Sequence, residues 1–265
     1  MDKKPHIIFT IGNPCSGKST FAEIITRHHQ YNKVDDLEPL QEIFRGDSIL
    51  IDDGSELEEK INFWNQFKKT IKFTDNLWND DIKKESCNLY SKPSDTGGYN
   101  ILDPMVWDLI LKFRAKNLDI DTDYIFEFSR GLDEKYLDLH NIPKEQVYKK
   151  SFETLLSNIQ NQEADFLIIN FSSNLEDRKL RNKIRYEEGG HFVSDKGMNE
   201  IYKEDIFYYT MSNDVSYLEV NGLRIPVVSI QVPDLTKETR DSFFLDIYHN
   251  SLKYFNQFNG DFNNG

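Results

Sequence analysis

Nine consecutive residues, Gly12-Asn13-Pro14-Cys15-Ser16-Gly17-Lys18-Ser19-Thr20, match the pattern G-x-x-x-x-G-K-[ST] at every defined position. The chemistry of that pattern is phosphate binding. Its glycines let successive backbone N–H groups wrap an anion, and the helix that follows turns its positive dipole end toward the same place. Lys18 can reach the β- and γ-phosphates of a nucleotide, and Ser19 can ligand Mg²⁺. The flanks suit the motif. His6–Ile11 is a short apolar, β-rich run that reads as a buried strand. From Lys18 onward the spacing of Phe21, Ile24 and Ile25 predicts a helix with one apolar face. A chance glycine-rich turn does not come with both flanks. Residues 12–20 are therefore expected to hold a nucleoside triphosphate.

Three further groups of residues could carry chemistry. Ser48–Asp53 is a short apolar run ending in Asp52 and Asp53. At the C-terminal end of a strand, where open α/β sheets bind ligands, such an acid can take a proton from a hydroxyl or hold Mg²⁺ through water. Asp53 is the favoured base, and Asp52 could instead cap the next helix or touch substrate. Glu127 sits inside the apolar run Tyr124-Ile125-Phe126-Glu127-Phe128. A carboxylate there is costly to bury unpaired. Its partner could be Arg130, a core group or the water shell of Mg²⁺, and a bridged Arg130 could still bind a substrate anion. Finally, Arg178, Arg181 and Arg185 recur at spacings of three and four, nearly on one helix face, before a Gly189-Gly190 break. They read as an arginine lid over 174–197 that neutralises charge on a transferring phosphoryl group. The plainer reading is a solvated basic face paired with Glu176, Glu187 and Glu188. The six histidines show no metal-ligand spacing, so no His/Cys metal site is expected.

The elements that must position these groups alternate strand and helix, which argues for a parallel sheet covered on both faces. Helices are expected at about 55–69, at 103–116 from Asp103-Pro104, along Tyr148, Phe152, Leu155, Leu156 and Ile159, after a Ser173-Asn174-Leu175-Glu176 capping box, and at about 237–255. Strands are expected at 123–128 and 165–171, with a hairpin of Tyr217–Val220 and Leu223–Val232 about Asn221-Gly222. Residues 73–102 break the rhythm and read as an inserted cap or substrate loop. The polar tail from Asn256 is expected to fray. A length of 265 residues with 13% aromatics suits one large domain spanning 1–265. The net charge of −13 argues against long nucleic acid as a partner but leaves room for a small phosphorylated substrate. Two cysteines form no disulfide framework, and neither a leader nor a membrane span is visible, so a cytoplasmic setting is expected.

Taken together, Gly12–Thr20, the Asp52-Asp53 strand end, the Glu127-Phe128-Ser129-Arg130 turn and the arginine helix resemble the P-loop small-molecule kinases: adenylate-kinase-like, shikimate- and gluconate-type and zeta-toxin-like enzymes. The order of elements is similar over about residues 5–255. The resemblance implies a three-layer P-loop fold with a central parallel five-stranded sheet, and phosphoryl transfer from ATP with Mg²⁺ to a small-molecule acceptor. It gives Lys18 and Ser19 the lysine and magnesium roles, Asp53 that of base, and Arg178, Arg181 and Arg185 those of lid arginines. It places adenine near Gln231–Asp234. The long 73–102 stretch and the extra hairpin strand depart from a simple adenylate kinase.

Two other readings compete. Asn32-Lys33-Val34-Asp35 and Asp95-Thr96-Gly97-Gly98 match GTPase patterns, but neither falls at the position such an enzyme needs. A non-catalytic or regulatory triphosphate-binding module would share the loop, with Trp78, Tyr90 and Tyr99 serving a partner. A toxin-type kinase of nucleotide sugars shares all the chemistry of a housekeeping kinase.

Overall fold

The structure, a computed structural model, describes residues 6–35, 90–91, 100–101, 105–116, 118–119, 121–160, 164–188, 192–207 and 216–263. Its main sheet grows from short apolar runs that bury both faces. Strand β1 (His6–Ile11) lies between β5 (Tyr124–Glu127) and β6 (Asp165–Ser172), paired in parallel with each. β2 (Asn32–Asp35) joins the far side of β5, and β8 (Leu223–Gln231) joins β6, both in parallel. β7 (Tyr217–Val220) closes that edge as the antiparallel arm of a hairpin. The order is β2-β5-β1-β6-β8-β7, five parallel strands and one antiparallel. Asn221 and Gly222 turn the hairpin at φ of 52° and 80°, the left-handed pair of a type I′ turn. A separate pair, β3 (Tyr90–Ser91) with β4 (Asn100–Ile101), falls within the 73–102 stretch.

Strand periodicity divides the core into two layers. Ile7, Phe9 and Ile11 of β1 point to the side where α2 (Met105–Lys116), α3 (Glu134–His140) and α4 (Val147–Leu156) pack, through Leu111, Tyr136, Phe152 and their neighbours. Phe9 there meets Phe152 edge-on at 5.3 Å and stacks on Phe166 at 5.9 Å. Ile8, with Ile125, Leu167 and Phe171, points the other way, onto α1 (Lys18–His28) and α6 (Lys237–Asn263). The three-layer α/β arrangement with helices on both faces is thus the observed fold.

Several elements differ from the sequence expectation. Asn32–Asp35 is strand β2, and α3 was not foreseen. The expected strand at 48–53 and the helix at 55–69, with Asp52 and Asp53, lie outside the described residues. Asn174, not Ser173, caps α5 (Leu175–Glu187): its side chain accepts from Asp177 N at 2.8 Å. Ser173 is engaged elsewhere, its carbonyl by Arg178 and its hydroxyl by Arg181. The tail does not fray at Asn256 but continues α6 to Asn263. Contacts from Phe258 to Tyr217, and from the Tyr254 hydroxyl to Ser216 O at 3.0 Å, bind this part of the helix to the hairpin.

Phe152 is fully buried whereas Leu139 is 47% exposed. Phe152→Ala is expected to cost about 3–5 kcal/mol of unfolding free energy, and Leu139→Ala less than about 0.5 kcal/mol. Urea denaturation of both variants checks this; equal losses would contradict the assigned core.

Candidate functional site

The loop between β1 and α1 is shaped by backbone sterics. Gly12 adopts φ of 132°, and a Cβ on it would lie 2.1 Å from Phe171 O of β6. Gly17 takes φ of 109°, and a Cβ on it would lie 3.2 Å from the Phe244 ring on α6. Cys15 between them holds φ of 63°, a left-handed value unusual for a side-chain-bearing residue. The loop therefore curls so tightly that Lys18, only 3% exposed, folds back over it and donates to Gly12 O and Asn13 O, each at 2.9 Å. Ser129 Oγ also donates to Gly12 O at 2.8 Å, tying the loop to the turn after β5.

Register carries Glu127 to the phosphate side. It pairs with Thr10 across β5–β1, at the C-terminal edge, and its Oε1 accepts from Ser19 Oγ at 2.6 Å. Lys33 of β2 places Nζ 3.8 Å from Glu127 Oε2. A hydroxyl and a carboxylate beside a phosphate loop are hard oxygen donors that fit Mg²⁺, an ion held by one or two protein oxygens plus phosphates rather than by a full protein cage. Among the described residues, no group of three His, Cys, Asp or Glu is placed to hold a metal. β2 ends at Asp35, in register with Glu127. The backbone of β2, a strand that the sequence reading missed, thus ends beside that of Glu127, while the favoured Asp52 and Asp53 lie outside the described residues.

Arg130, 3% exposed, is fixed by Ser151 Oγ at 3.1 Å, Ser129 O at 2.6 Å and Trp107 O at 3.4 Å. Its guanidinium lies 5.3 Å from the Trp107 ring centre and 5.2 Å from that of Phe128. Gly131 follows because a Cβ there would meet Ile201 O at 2.7 Å.

Helix α5 is inverted. It buries Arg178 to 1% exposure while Leu180 and Ile184 are 60% and 44% exposed. Arg181 donates to Cys15 O at 3.4 Å and Pro233 O at 3.1 Å, spanning from the phosphate loop to the segment after β8. Arg178 is held from below by Ser173 O and Lys203 O, each at 3.1 Å, and is not among the residues lining the cleft, whereas Arg181 and Arg185 are. Burial pushes the Cys15 thiol up, against the charges of Arg185, Lys18, Arg178 and Arg181, all of which surround it. Among the described residues, Ser16 Oγ, Arg178 Nη1 and Arg185 Nε are buried without a hydrogen-bond partner. Orphaned donors of this kind suit an anionic ligand.

A strap, residues 192–207, crosses the loop at several points. Asn182 of α5 grips both backbone groups of Val193, at 2.8 and 3.0 Å. Asn13 donates to Glu204 O at 2.9 Å, and Leu132 N to Ile201 O at 2.8 Å. Asn170, on β6, donates to Asp205 at 3.0 Å. No local motif marks Asn170, Asn182 or Asp205, and sequence reading missed them. His191 lies outside the described residues. The whole borders an open cleft of about 1480 Å³ that runs from Val232–Asp234, within the Gln231–Asp234 segment expected near adenine, past the phosphate loop to Arg130, Trp107 and Tyr136.

No protein-family model matches the chain, and no curated protein does so at significant similarity. Solved structures with a similar arrangement include a protein of Chloroflexus aurantiacus provisionally named a kinase, with 12% identity over 93% of this chain and 98% of that one at a TM-score of 0.45. A sugar kinase of Janibacter shares 9% identity over 94% and 95% of the two chains at 0.41. A gluconokinase of Sinorhizobium meliloti shares 15% over 96% and 98% at 0.37. At these scores the likenesses assign no function, which must come from the site itself. Among the described residues, no helix is long and apolar enough to cross a membrane.

Burial lifts the Asp205 carboxyl above its ordinary 3.8, against the pull of Asn170, Phe207 N, Arg178 and Lys18. The folded chain then holds this proton more tightly than the unfolded chain, so stability falls as pH rises from that ordinary value through the raised one. Asp205→Asn removes the loss, and Asn170 Oδ1, buried without a partner, can accept from the new amide once the Asn170 side chain flips. The variant's denaturation midpoint should gain on wild type as pH rises through this window. A constant difference at all pH values would show that Asp205 does not titrate there.

Proposed function

We propose that the chain is an ATP- and Mg²⁺-dependent phosphotransferase acting on a small molecule with a hydroxyl or phosphate acceptor, such as a nucleoside, a nucleotide or a sugar-like compound. The observation that supports this reading best is the convergence of Lys18, the Ser19–Glu127 pair, Arg181 and Arg185 on one end of a cleft that continues beyond the phosphate loop. A module that only binds triphosphate has no need of the second half.

In this reading Lys18 exchanges the carbonyls of Gly12 and Asn13 for phosphate oxygens. Ser19 and Glu127 would hold Mg²⁺, which would supply charge neutralisation to a bound triphosphate. Arg181 and Arg185 face the transferring phosphoryl group, where fixed positive charge acts most strongly because water is excluded. Arg178 holds α5 against the strap. The acceptor occupies the cleft toward Arg130 and Trp107, with a strand-end aspartate orienting its hydroxyl. The alternative of a regulatory triphosphate-binding module keeps the first two roles and drops the rest; a nucleotide-sugar kinase keeps them all.

A Mg²⁺–ATP consumption screen across nucleosides, nucleoside monophosphates, sugars and nucleotide sugars tests the reading. One acceptor should stimulate consumption, and Lys18→Ala should reduce it at least about 100-fold. Tight ATP binding with no stimulation by any acceptor would favour the module. The base is found by comparing Asp35→Asn with Asp53→Asn. The variant that removes it should slow transfer by about 10²–10⁴-fold with nucleotide affinity unchanged; if neither does, the acceptor is activated without a strand-end base.

A further inference from the structure

Lys33 has no role in the chemistry above, yet the sheet aims it at a carboxylate that the chemistry needs. On β2 it stands in register with Ile125 of β5, two positions before Glu127. Residues two apart on a strand share a face, so Lys33, Ile125 and Glu127 all lie on the side of the sheet that α1 covers. The Lys33 stem runs from there toward the C-terminal edge, and Nζ ends 3.8 Å from Glu127 Oε2. The other carboxylate oxygen, Oε1, accepts from Ser19 Oγ at 2.6 Å.

Two features set this ammonium apart from that of Lys18. Lys18 is buried and donates to two loop carbonyls at 2.9 Å, so the loop holds it. The Lys33 side chain is 29% exposed, against 10% for that of Glu127, and it lines the cleft beside Ser19 and Thr20. Its distance from Oε2 exceeds the roughly 2.7–2.9 Å of a charge-assisted hydrogen bond. An ammonium so placed neutralises the carboxylate through space and can leave it for water without breaking a close bond. Glu127 is also the carboxylate that, with Ser19, fits Mg²⁺. A divalent ion on it would lie against the ammonium, and like charges so close repel each other strongly where water is scarce. One carboxylate is thus shared between a tethered cation and a diffusible one.

We propose that Lys33 is an internal competitor for Mg²⁺: its ammonium sets the affinity of the Ser19–Glu127 pair for the metal and turns off the carboxylate into the cleft when metal binds. This deepens the phosphotransferase reading and rests on it for the metal. The consequence is a site that resists metal alone. It fills when a triphosphate adds its own negative charge, which draws Mg²⁺ in and gives the released ammonium a new partner. Lys33 thereby couples metal binding to nucleotide binding.

The test is a set of Mg²⁺ titrations without nucleotide, followed at the Ser19 amide by ¹H–¹⁵N NMR. It compares wild type, Lys33→Met, Lys33→Arg, and Lys33→Met combined with Glu127→Gln. Methionine keeps the stem and removes the charge, Lys33→Gln repeats the change with a polar side chain, and a thermal melt confirms folding. Lys33→Met should lower the Mg²⁺ concentration at the midpoint at least about tenfold, the effect of removing a unit charge beside a divalent ion. Lys33→Arg restores the charge and should return the midpoint toward that of wild type, which a role in packing alone would not do. Adding Glu127→Gln should abolish the gain. An unchanged midpoint in the folded uncharged variants, a Ser19 signal that Mg²⁺ leaves unmoved in them, or a gain that survives Glu127→Gln overturns the proposal. The titrations are then repeated with ADP. Failure of ADP to bind with Mg²⁺ would count against the phosphotransferase reading, while the nucleotide-free midpoints decide the competition by themselves.

Discussion

Buried positive charge is the constraint around which the C-terminal edge of this sheet is arranged. Lys18, Arg130 and Arg178 are each 3% exposed or less, and taking such groups out of water is costly unless strong acceptors surround them. Backbone carbonyls supply much of what they need: Gly12 and Asn13 for Lys18, Ser129 and Trp107 for Arg130, Ser173 and Lys203 for Arg178. To aim those carbonyls, the chain accepts a glycine wedged against β6 and a left-handed cysteine. It also accepts a strap held across the loop by asparagines. The fold and the site are thus two accounts of one problem, the hosting of buried cations by backbone carbonyls. In a chain of net charge −13 this concentrates positive potential at one place.

What the sequence disclosed follows from how local each signal is. β1, the phosphate loop and α1 form a continuous stretch whose pattern contains its own confirmation, and the hairpin declares itself through Asn221-Gly222. β6 is eight residues of mostly buried side chains and could hardly be anything else. β2 has four residues with one strongly apolar side chain, Val34; its extended state comes from pairing with β5, which the local sequence does not carry. In the same way Glu127 was visible as an oddity in an apolar run, but its partners Ser19 and Lys33 are 108 and 94 positions away in the chain, and only the register of parallel strands brings them together. Asp205 belongs to a stretch with no pattern, and Asn170 and Asn182, which hold the strap, lie in a strand and a helix whose periodicity says nothing of that contact, so they were silent.

Helix α5 shows how a pattern can be read correctly and its meaning still be incomplete. Three arginines do recur at helical spacing along α5, but they are not equivalent. Arg178 is locked beneath the helix, Arg181 reaches across from one side of the cleft to the other, and Arg185 lies one turn further out, held by Asn182 at 3.2 Å. The exposed Leu180 and Ile184 border the same cleft. The helix therefore offers both charge and an apolar surface to the cleft.

The caging of Arg178 also sets the mechanics of the helix that carries it. Its guanidinium joins the first turn of α5 to Ser173 behind and to Lys203 across the strap, while the rest of the helix is attached through Arg181 to Cys15 and Pro233, through Asn182 to Val193 and through Tyr186 to Phe192. A rigid lid swinging about its far end would have to extract a buried cation from its carbonyls, whereas rotation about Arg178 leaves them intact. If α5 moves as a lid, its fulcrum is the first turn, and Arg185, farther along the arm, sweeps a wider arc than Arg181.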